Sequence, residues 1–107
     1  TELGREALQD WLASRDLPKR VARNPLLLRL FFGAHGDPAV LVDLITELRE
    51  RAETQLAELR EIERDIDPER DVYGYLTLLH GIEDADSTVR WCEVALKVLV
   101  EHAGVAQ

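Results

Sequence analysis

Hydrophobic positions recur along the chain at intervals of three and four, a spacing that is typical of amphipathic helices. This pattern predicts four helices, over about residues 1–14, 26–32 and 38–65, with the last running from a start between residues 68 and 72 to residue 103. No segment shows the strict apolar–polar alternation of a half-buried strand. We therefore predict an all-α fold with two long helices and two shorter N-terminal helices.

Three pairs of an Asn or Asp followed by Pro mark helix starts: Asn24-Pro25, Asp37-Pro38 and Asp67-Pro68. An Asn or Asp side chain can cap the first backbone N–H groups of a helix, and Pro is well tolerated at the first helical position. The short helix that follows Asn24 is apolar nearly all round. We therefore expect it to be buried between the long helices.

The last helix has two separate apolar faces when its residues are placed at about 100° intervals. The first is rich in small residues and includes Gly81, Val89, Cys92 and Leu96. The second carries His80 among larger side chains, namely Tyr73, Leu76, Trp91, Val94 and Val98. Because the chain has only one other long helix, we expect one face to pack internally and the other to meet a second subunit. This predicts a homodimeric helical bundle with coiled-coil-like packing.

Charged side chains are distributed unevenly along the chain. Its 107 residues, a length typical of one domain, carry a net charge of −8. Residues 1–36 hold six basic and four acidic side chains (+2), whereas residues 37–107 hold seven basic and seventeen acidic ones (−10). An acidic surface disfavours nonspecific binding of nucleic acid by this chain, because phosphate groups are neutralised by positive charge.

We find no candidate catalytic or metal-binding residues and predict no cofactor. The single cysteine, Cys92, excludes an intrachain disulfide and a multi-cysteine metal site, and it fits a cytoplasmic location. His80 lies three residues before Glu83, but the other long helix offers no His to complete a metal site in a bundle. No apolar run reaches the roughly 18 residues of a membrane span, so we expect no membrane partner.

Three aromatic residues are candidates for an effector pocket: Trp11, Tyr73 and Trp91. Flat aromatic side chains at a dimer seam can line a pocket for an aromatic ligand. Packing in the core is the alternative role for the same side chains.

Four segments, residues 1–8, 24–33, 73–82 and 89–96, resemble segments of one family, the PadR-like transcriptional regulators. The run from Tyr73 to Ile82 and the run from Val89 to Leu96 resemble the last helix of their C-terminal domain, also called the virulence-activator α C-terminal domain. Residues 24–33 are similar to the family's Asn/Asp-Pro-x-x-Leu-Arg/Lys-Leu-Phe-Phe segment, and residues 1–8 to the Thr-x-x-Gly-Arg/Lys helix that follows the wing of its DNA-binding domain. The segments occur in the family's order and at matching spacings.

The resemblance implies that residues 15–107 are a dimerisation domain and residues 1–14 the helix after a winged helix-turn-helix that is not among these 107 residues. DNA would then be bound only through that N-terminal domain, and a small aromatic or hydrophobic compound could act as effector. We expect the dimer interface and the core to involve twelve residues: Leu26, Leu30, Phe31, Tyr73, Leu76, Gly81, Val89, Trp91, Cys92, Val94, Leu96 and Val98.

Two other classes of protein remain as alternatives. The first is a free-standing helical protein that binds a ligand or acts as an adaptor without a DNA-binding domain. An upstream reading frame for a helix-turn-helix would decide against it. The second is a di-metal enzyme of the bundle type, which would require tight metal binding.

Overall fold

The computed structural model describes residues 1–17 and 24–104. Four α-helices and one 3₁₀ turn follow one another there: α1 (Glu2–Ala13), α2 (Pro25–Phe31), the turn Gly33–His35, α3 (Pro38–Asp65) and α4 (Val72–Ala103). No strand occurs within the described ranges. The predicted all-α fold with two long and two shorter helices is confirmed.

Side-chain caps begin α2 and α3 as the sequence predicts. The Asn24 carboxamide oxygen accepts hydrogen bonds from the backbone N–H groups of Leu26 and Leu27, at 3.0 and 3.3 Å. The Asp37 carboxylate accepts one from the backbone N–H of Ala39 at 3.0 Å. Pro25 and Pro38 both lie in the first helical turn, where a missing N–H costs nothing.

The third start signal opens only a turn. Asp67 accepts hydrogen bonds from the backbone N–H groups of Glu69 and Arg70, but α4 begins at Val72. Its N-cap is Asp71, whose carboxylate accepts from the backbone N–H of Gly74 at 3.0 Å. The expectation that Asp67-Pro68 starts the last helix is therefore wrong, and Asp71 takes over the capping role.

The two long helices form an antiparallel hairpin that contains the core. Val42 and Ile45, early in α3, pack in one buried cluster with Cys92 and Leu96, late in α4. At the opposite end of the hairpin a Cβ added at Gly81 would lie 3.2 Å from Leu59 Cδ1. This glycine therefore lets the helices approach closely.

Helix α2 lies against the hairpin and not inside it. Leu26 and Leu30 pack on the core cluster and are half-buried. The other large apolar side chains of the segment, however, are 51% to 81% exposed: Leu27, Leu28, Phe31 and Phe32. The expected full burial of this helix is wrong for the single chain, because α3 and α4 pack directly on each other and leave α2 only one side to contact.

Helix α1 buries none of its residues, and its apolar side chains Leu3, Leu8, Trp11 and Leu12 are all exposed. The Thr1 hydroxyl oxygen caps it by accepting a hydrogen bond from the backbone N–H of Gly4. Among the described residues no helix combines the length and the apolar character needed to cross a membrane.

Candidate functional site

The small-residue face of α4 is the internal one. Its residues Leu78, Ile82, Ala85, Cys92 and Leu96 are buried against α3, with Cys92 and Leu96 fully inaccessible to solvent. The prediction that one of the two apolar faces packs internally is thereby confirmed. Small side chains on this face allow the close helix contact seen at Gly81.

The second apolar face of α4 is exposed in the single chain. We call its five residues the α4 strip: Tyr73, Leu76, Trp91, Val94 and Val98, which are 39% to 82% exposed. Its middle is polar, since His80, Asp84 and Ser87 occupy the same side of the helix between Leu76 and Trp91. Tyr73 and Leu76 therefore lie near the start of α4, and an apolar trio, Trp91, Val94 and Val98, lies near its end.

Apolar residues of helix α2 widen the exposed surface formed by the apolar trio. Leu27 and Trp91 line a common groove of about 350 Å³ whose other walls include Leu48, Ser87 and Thr88. Phe31 follows Leu27 by one helical turn and so continues the same side of α2. The surface beside Trp91 is therefore wider than the strip alone.

The twelve predicted interface or core residues divide into two groups of six. The internal group is buried or half-buried and comprises Leu26, Leu30, Gly81, Val89, Cys92 and Leu96. The external group is exposed and comprises Phe31 and the five residues of the α4 strip. Leu27 was missed, although its spacing of four from Phe31 was a signal that both share one side of α2.

The three aromatic candidates for an effector pocket do not come together within one chain. Tyr73 and Trp91 are separated by eighteen positions of α4, which corresponds to about 27 Å. Trp11 is 72% exposed on α1. A pocket that combines them requires a second chain, and the effector pocket stays a prediction.

Few reactive side chains lie together among the described residues. They contain no group of three or more His, Cys, Asp or Glu side chains that could hold a metal ion. Burial raises the pKa of the Cys92 thiol, which makes it a poor nucleophile at neutral pH. His80 is exposed on α4. The exposed apolar side chains of α4 and α2 are therefore the main feature of the described surface.

Ion pairs in the described part of the chain stabilise individual helices and turns. All five join residues three or four positions apart, such as Arg51 with Glu47 at 2.6 Å and Arg90 with Asp86 at 3.3 Å. Exposed pairs of this kind contribute only a few tenths of a kcal/mol each. None of these five pairs includes a residue of the α4 strip.

Comparison with known families matches residues 22–100 to the family described as virulence activator alpha C-term. This match spans most of the chain, from just before α2 to the last turns of α4. The chain belongs to this family. No curated protein matches the chain.

The fold of this chain is similar to the folds of solved PadR-like regulators. A PadR-like transcriptional regulator from Bacillus cereus is 24% identical with a TM-score of 0.73, over 95% of this chain and 61% of that one. Bacillus subtilis PadR in complex with operator DNA is 22% identical with a TM-score of 0.75, over 92% and 58%. The same protein in complex with p-coumaric acid is 21% identical with a TM-score of 0.76, over 92% and 64%.

The chain therefore spans about three-fifths of the length of the solved regulators that it resembles. The resemblance to the virulence-activator α C-terminal domain drawn from the sequence is confirmed at the level of the family, and the resemblance to PadR-like regulators at the level of the fold.

Proposed function

We propose that this chain is the dimerisation part of a cytoplasmic, PadR-like transcriptional regulator. In this proposal two copies associate through the exposed surface of α4 and α2, and the dimer sets the spacing of two DNA-binding domains on a palindromic site. DNA is contacted by those domains and not by the chain itself. Bacillus subtilis PadR, which shares the fold, was solved on operator DNA.

The observation that carries the proposal is the difference between the two apolar faces of α4. One face is buried against α3, whereas the α4 strip exposes two aromatic and three aliphatic side chains. Soluble monomers rarely expose large apolar patches, and such patches mark interaction sites; Trp91, Val94 and Val98 form one together with Leu27 and Phe31 of α2. An interface with a second copy would cover both the strip and the neighbouring apolar residues of α2.

An effector role is the second part of the proposal. The groove beside Trp91 is lined by the apolar residues Leu27 and Leu48 and by Ser87 and Thr88, whose hydroxyl groups donate to the Asp84 carbonyl. Such a mixture suits a small aromatic molecule with polar substituents. Bacillus subtilis PadR was also solved in complex with p-coumaric acid, a compound of this type.

Sedimentation equilibrium on a Val94→Glu variant tests the dimerisation role. A carboxylate in the middle of an apolar interface would be desolvated without a partner, so we expect dimer affinity to fall by at least 100-fold. Lys97→Gln is the matched control, because it also lowers the charge by one but lies beside the strip. It should leave the dimer intact.

Circular dichroism of both variants should show unchanged helix content, because Val94 and Lys97 are exposed. A Val94→Glu variant that dimerises as tightly as the wild-type chain would contradict the proposed interface. A wild-type chain that is monomeric at high concentration would contradict dimerisation altogether.

A further inference from the structure

We propose that the cavity between α2, the turn Gly33–His35, the start of α3 and the end of α4 binds a compact, uncharged aliphatic molecule that carries one hydroxyl group. The cavity is formed within a single chain. The inference therefore goes beyond the proposed function and does not depend on the association of two copies.

The volume of this cavity lies in the range of small-molecule sites. It measures about 520 Å³, compared with about 350 Å³ for the groove beside Trp91, and ligand pockets typically measure about 300 to 1,000 Å³. Leu30, Leu41 and Leu99 line it. Leu41 is buried, and Leu30 and Leu99 also pack on the core cluster. The apolar walls of the cavity are therefore held in place by the core of the hairpin.

Three small residues leave this space unfilled. Gly33, Ala34 and Gly36 line the cavity where the chain turns from α2 into α3. A Cβ added at Gly33 would lie 3.3 Å from Leu41 Cδ1. A side chain at position 33 would therefore reach a wall of the cavity, whereas glycine leaves room for a ligand.

The lining is aliphatic and carries a single imidazole. Leu30, Pro38, Leu41 and Leu99 supply its larger apolar side chains, and His102 supplies the nitrogen atoms that can form hydrogen bonds. None of the described residues that line it is Phe, Tyr or Trp. Small-molecule sites hold an apolar body by contact and fix its orientation through a few polar groups. An aliphatic molecule with one hydroxyl group matches this lining, because an imidazole can donate to or accept from a hydroxyl.

Charge around the cavity disfavours an anionic ligand. The last turn of α4 borders the cavity at His102, and the C-terminal end of a helix carries partial negative charge. On the opposite side Pro38 follows Asp37, whose carboxylate caps α3. A carboxylate in the cavity would therefore lie between two negative groups.

A cationic ligand is disfavoured by loss of hydration. The described lining residues include no Asp or Glu that could pair with an ammonium group, and removing an unpaired charge from water is costly. The hydroxyl compound is thus the class of ligand that both the apolar walls and the surrounding charges accept.

Titration of the full chain with cyclohexanol, followed by heteronuclear NMR, tests the inference. We expect saturable shifts of the backbone amide signals of Gly33, Gly36 and Leu99. The expected Kd is about 1 mM, because a ligand with so few heavy atoms gains little contact energy. Cyclohexanecarboxylate has the same ring and a negative charge, and it should bind at least about tenfold more weakly.

Two exposed alanines provide a matched pair of variants. Ala34→Leu should abolish the saturable shifts, because the larger side chain occupies space in the cavity. Ala39→Leu adds the same side chain at an exposed position that does not line the cavity, and it should leave the affinity unchanged.

His102→Leu tests the hydrogen bond to the hydroxyl group. It keeps an apolar side chain at this position and removes the imidazole, so we expect the Kd for cyclohexanol to rise about fivefold, the usual net contribution of one hydrogen bond. Unchanged affinity in this variant would overturn the role of His102.

The other outcomes are equally decisive. A wild-type chain that gives no saturable shifts, or shifts only beside Trp91, would overturn the inference, and so would equal affinity of Ala34→Leu and the wild-type chain. Equal affinity for cyclohexanol and cyclohexanecarboxylate would overturn the class of ligand. None of these results bears on dimerisation, which sedimentation of Val94→Glu tests separately.

Discussion

Cys92, the single cysteine of the chain, is a packing residue of the core. It lies in the core cluster with Val42, Ile45 and Leu96 and is fully buried, as its place on the small-residue face predicts. Burial raises the pKa of its thiol, the neighbouring Glu93 carboxylate acts in the same direction, and Arg49 opposes them. The thiol is therefore held in its neutral form.

A pH-dependent loss of stability follows from this raised pKa. In the unfolded chain the thiol ionises near its ordinary value of about 8.5. In the folded chain it keeps its proton to higher pH, so its contribution is fully present below that value and is lost as the pH rises through the folded pKa. We expect the free energy of unfolding, measured with urea, to fall more steeply above about pH 8.5 for the wild-type chain than for Cys92→Ala.

The comparison with Cys92→Ala isolates the thiol, because the other titrating groups are common to both proteins. The alanine variant starts from a lower stability, since a buried side chain has been shortened, but only the slope with pH matters. Equal slopes for the two proteins would show that the buried thiol does not titrate differently in the folded and unfolded states.

Local sequence predicts two of the helix starts correctly and a third one wrongly. Asn24 and Asp37 cap the helices that their sequence signals predict. Asp67 carries the same signal but opens only a turn, because exposed, charged residues follow it and no apolar face begins until Val72. A capping signal specifies a possible start, and packing of the following residues decides whether a helix continues.

We predict that Asp71→Ala destabilises the fold by about 1 kcal/mol, the usual cost of losing an N-cap. Asp67→Ala is the matched control and should cost less than half as much, because its hydrogen bonds hold an exposed turn outside the helix. Urea unfolding of both variants measures the difference. Equal losses would mean that the turn and α4 form a single cooperative start.

At the scale of the whole molecule, the sequence predicted which surfaces are apolar better than it predicted what covers them. The two faces of α4 followed from periodicity, but periodicity did not say which face is internal. The structure shows that it is the small-residue face, where Gly81 permits the approach of Leu59. The exposure of Phe31 did not follow. An all-apolar helix must be covered, but composition does not say whether the cover comes from the same chain or another.

The effector residues illustrate the same limit. Trp11, Tyr73 and Trp91 share an aromatic character that suggests a common pocket, yet nothing in their spacing requires them to meet. In one chain they lie on separate surfaces, and Tyr73 and Trp91 occupy opposite ends of the α4 strip. A shared site would require residues of a second chain, which the spacing of the three aromatic residues does not reveal.

Charge at the scale of the whole chain leads to a last prediction, that this chain alone does not bind duplex DNA at physiological salt. Its net charge is −8, residues 37–107 hold −10 of formal charge, and two copies of the chain would carry twice this negative charge. Several of the arginines that could contact phosphate already pair with carboxylates on their own helix or turn. Nonspecific affinity comes almost wholly from neutralising phosphates.

Fluorescence anisotropy of a labelled random duplex measures this binding, and we expect no saturation up to about 100 μM chain, the weak end of ordinary nonspecific affinity. Lowering the salt is the informative control, because a protein that contacts phosphates gains affinity steeply as salt falls. Saturable, salt-dependent binding would place DNA contacts on these helices and contradict the proposed division between a dimerising chain and separate DNA-binding domains.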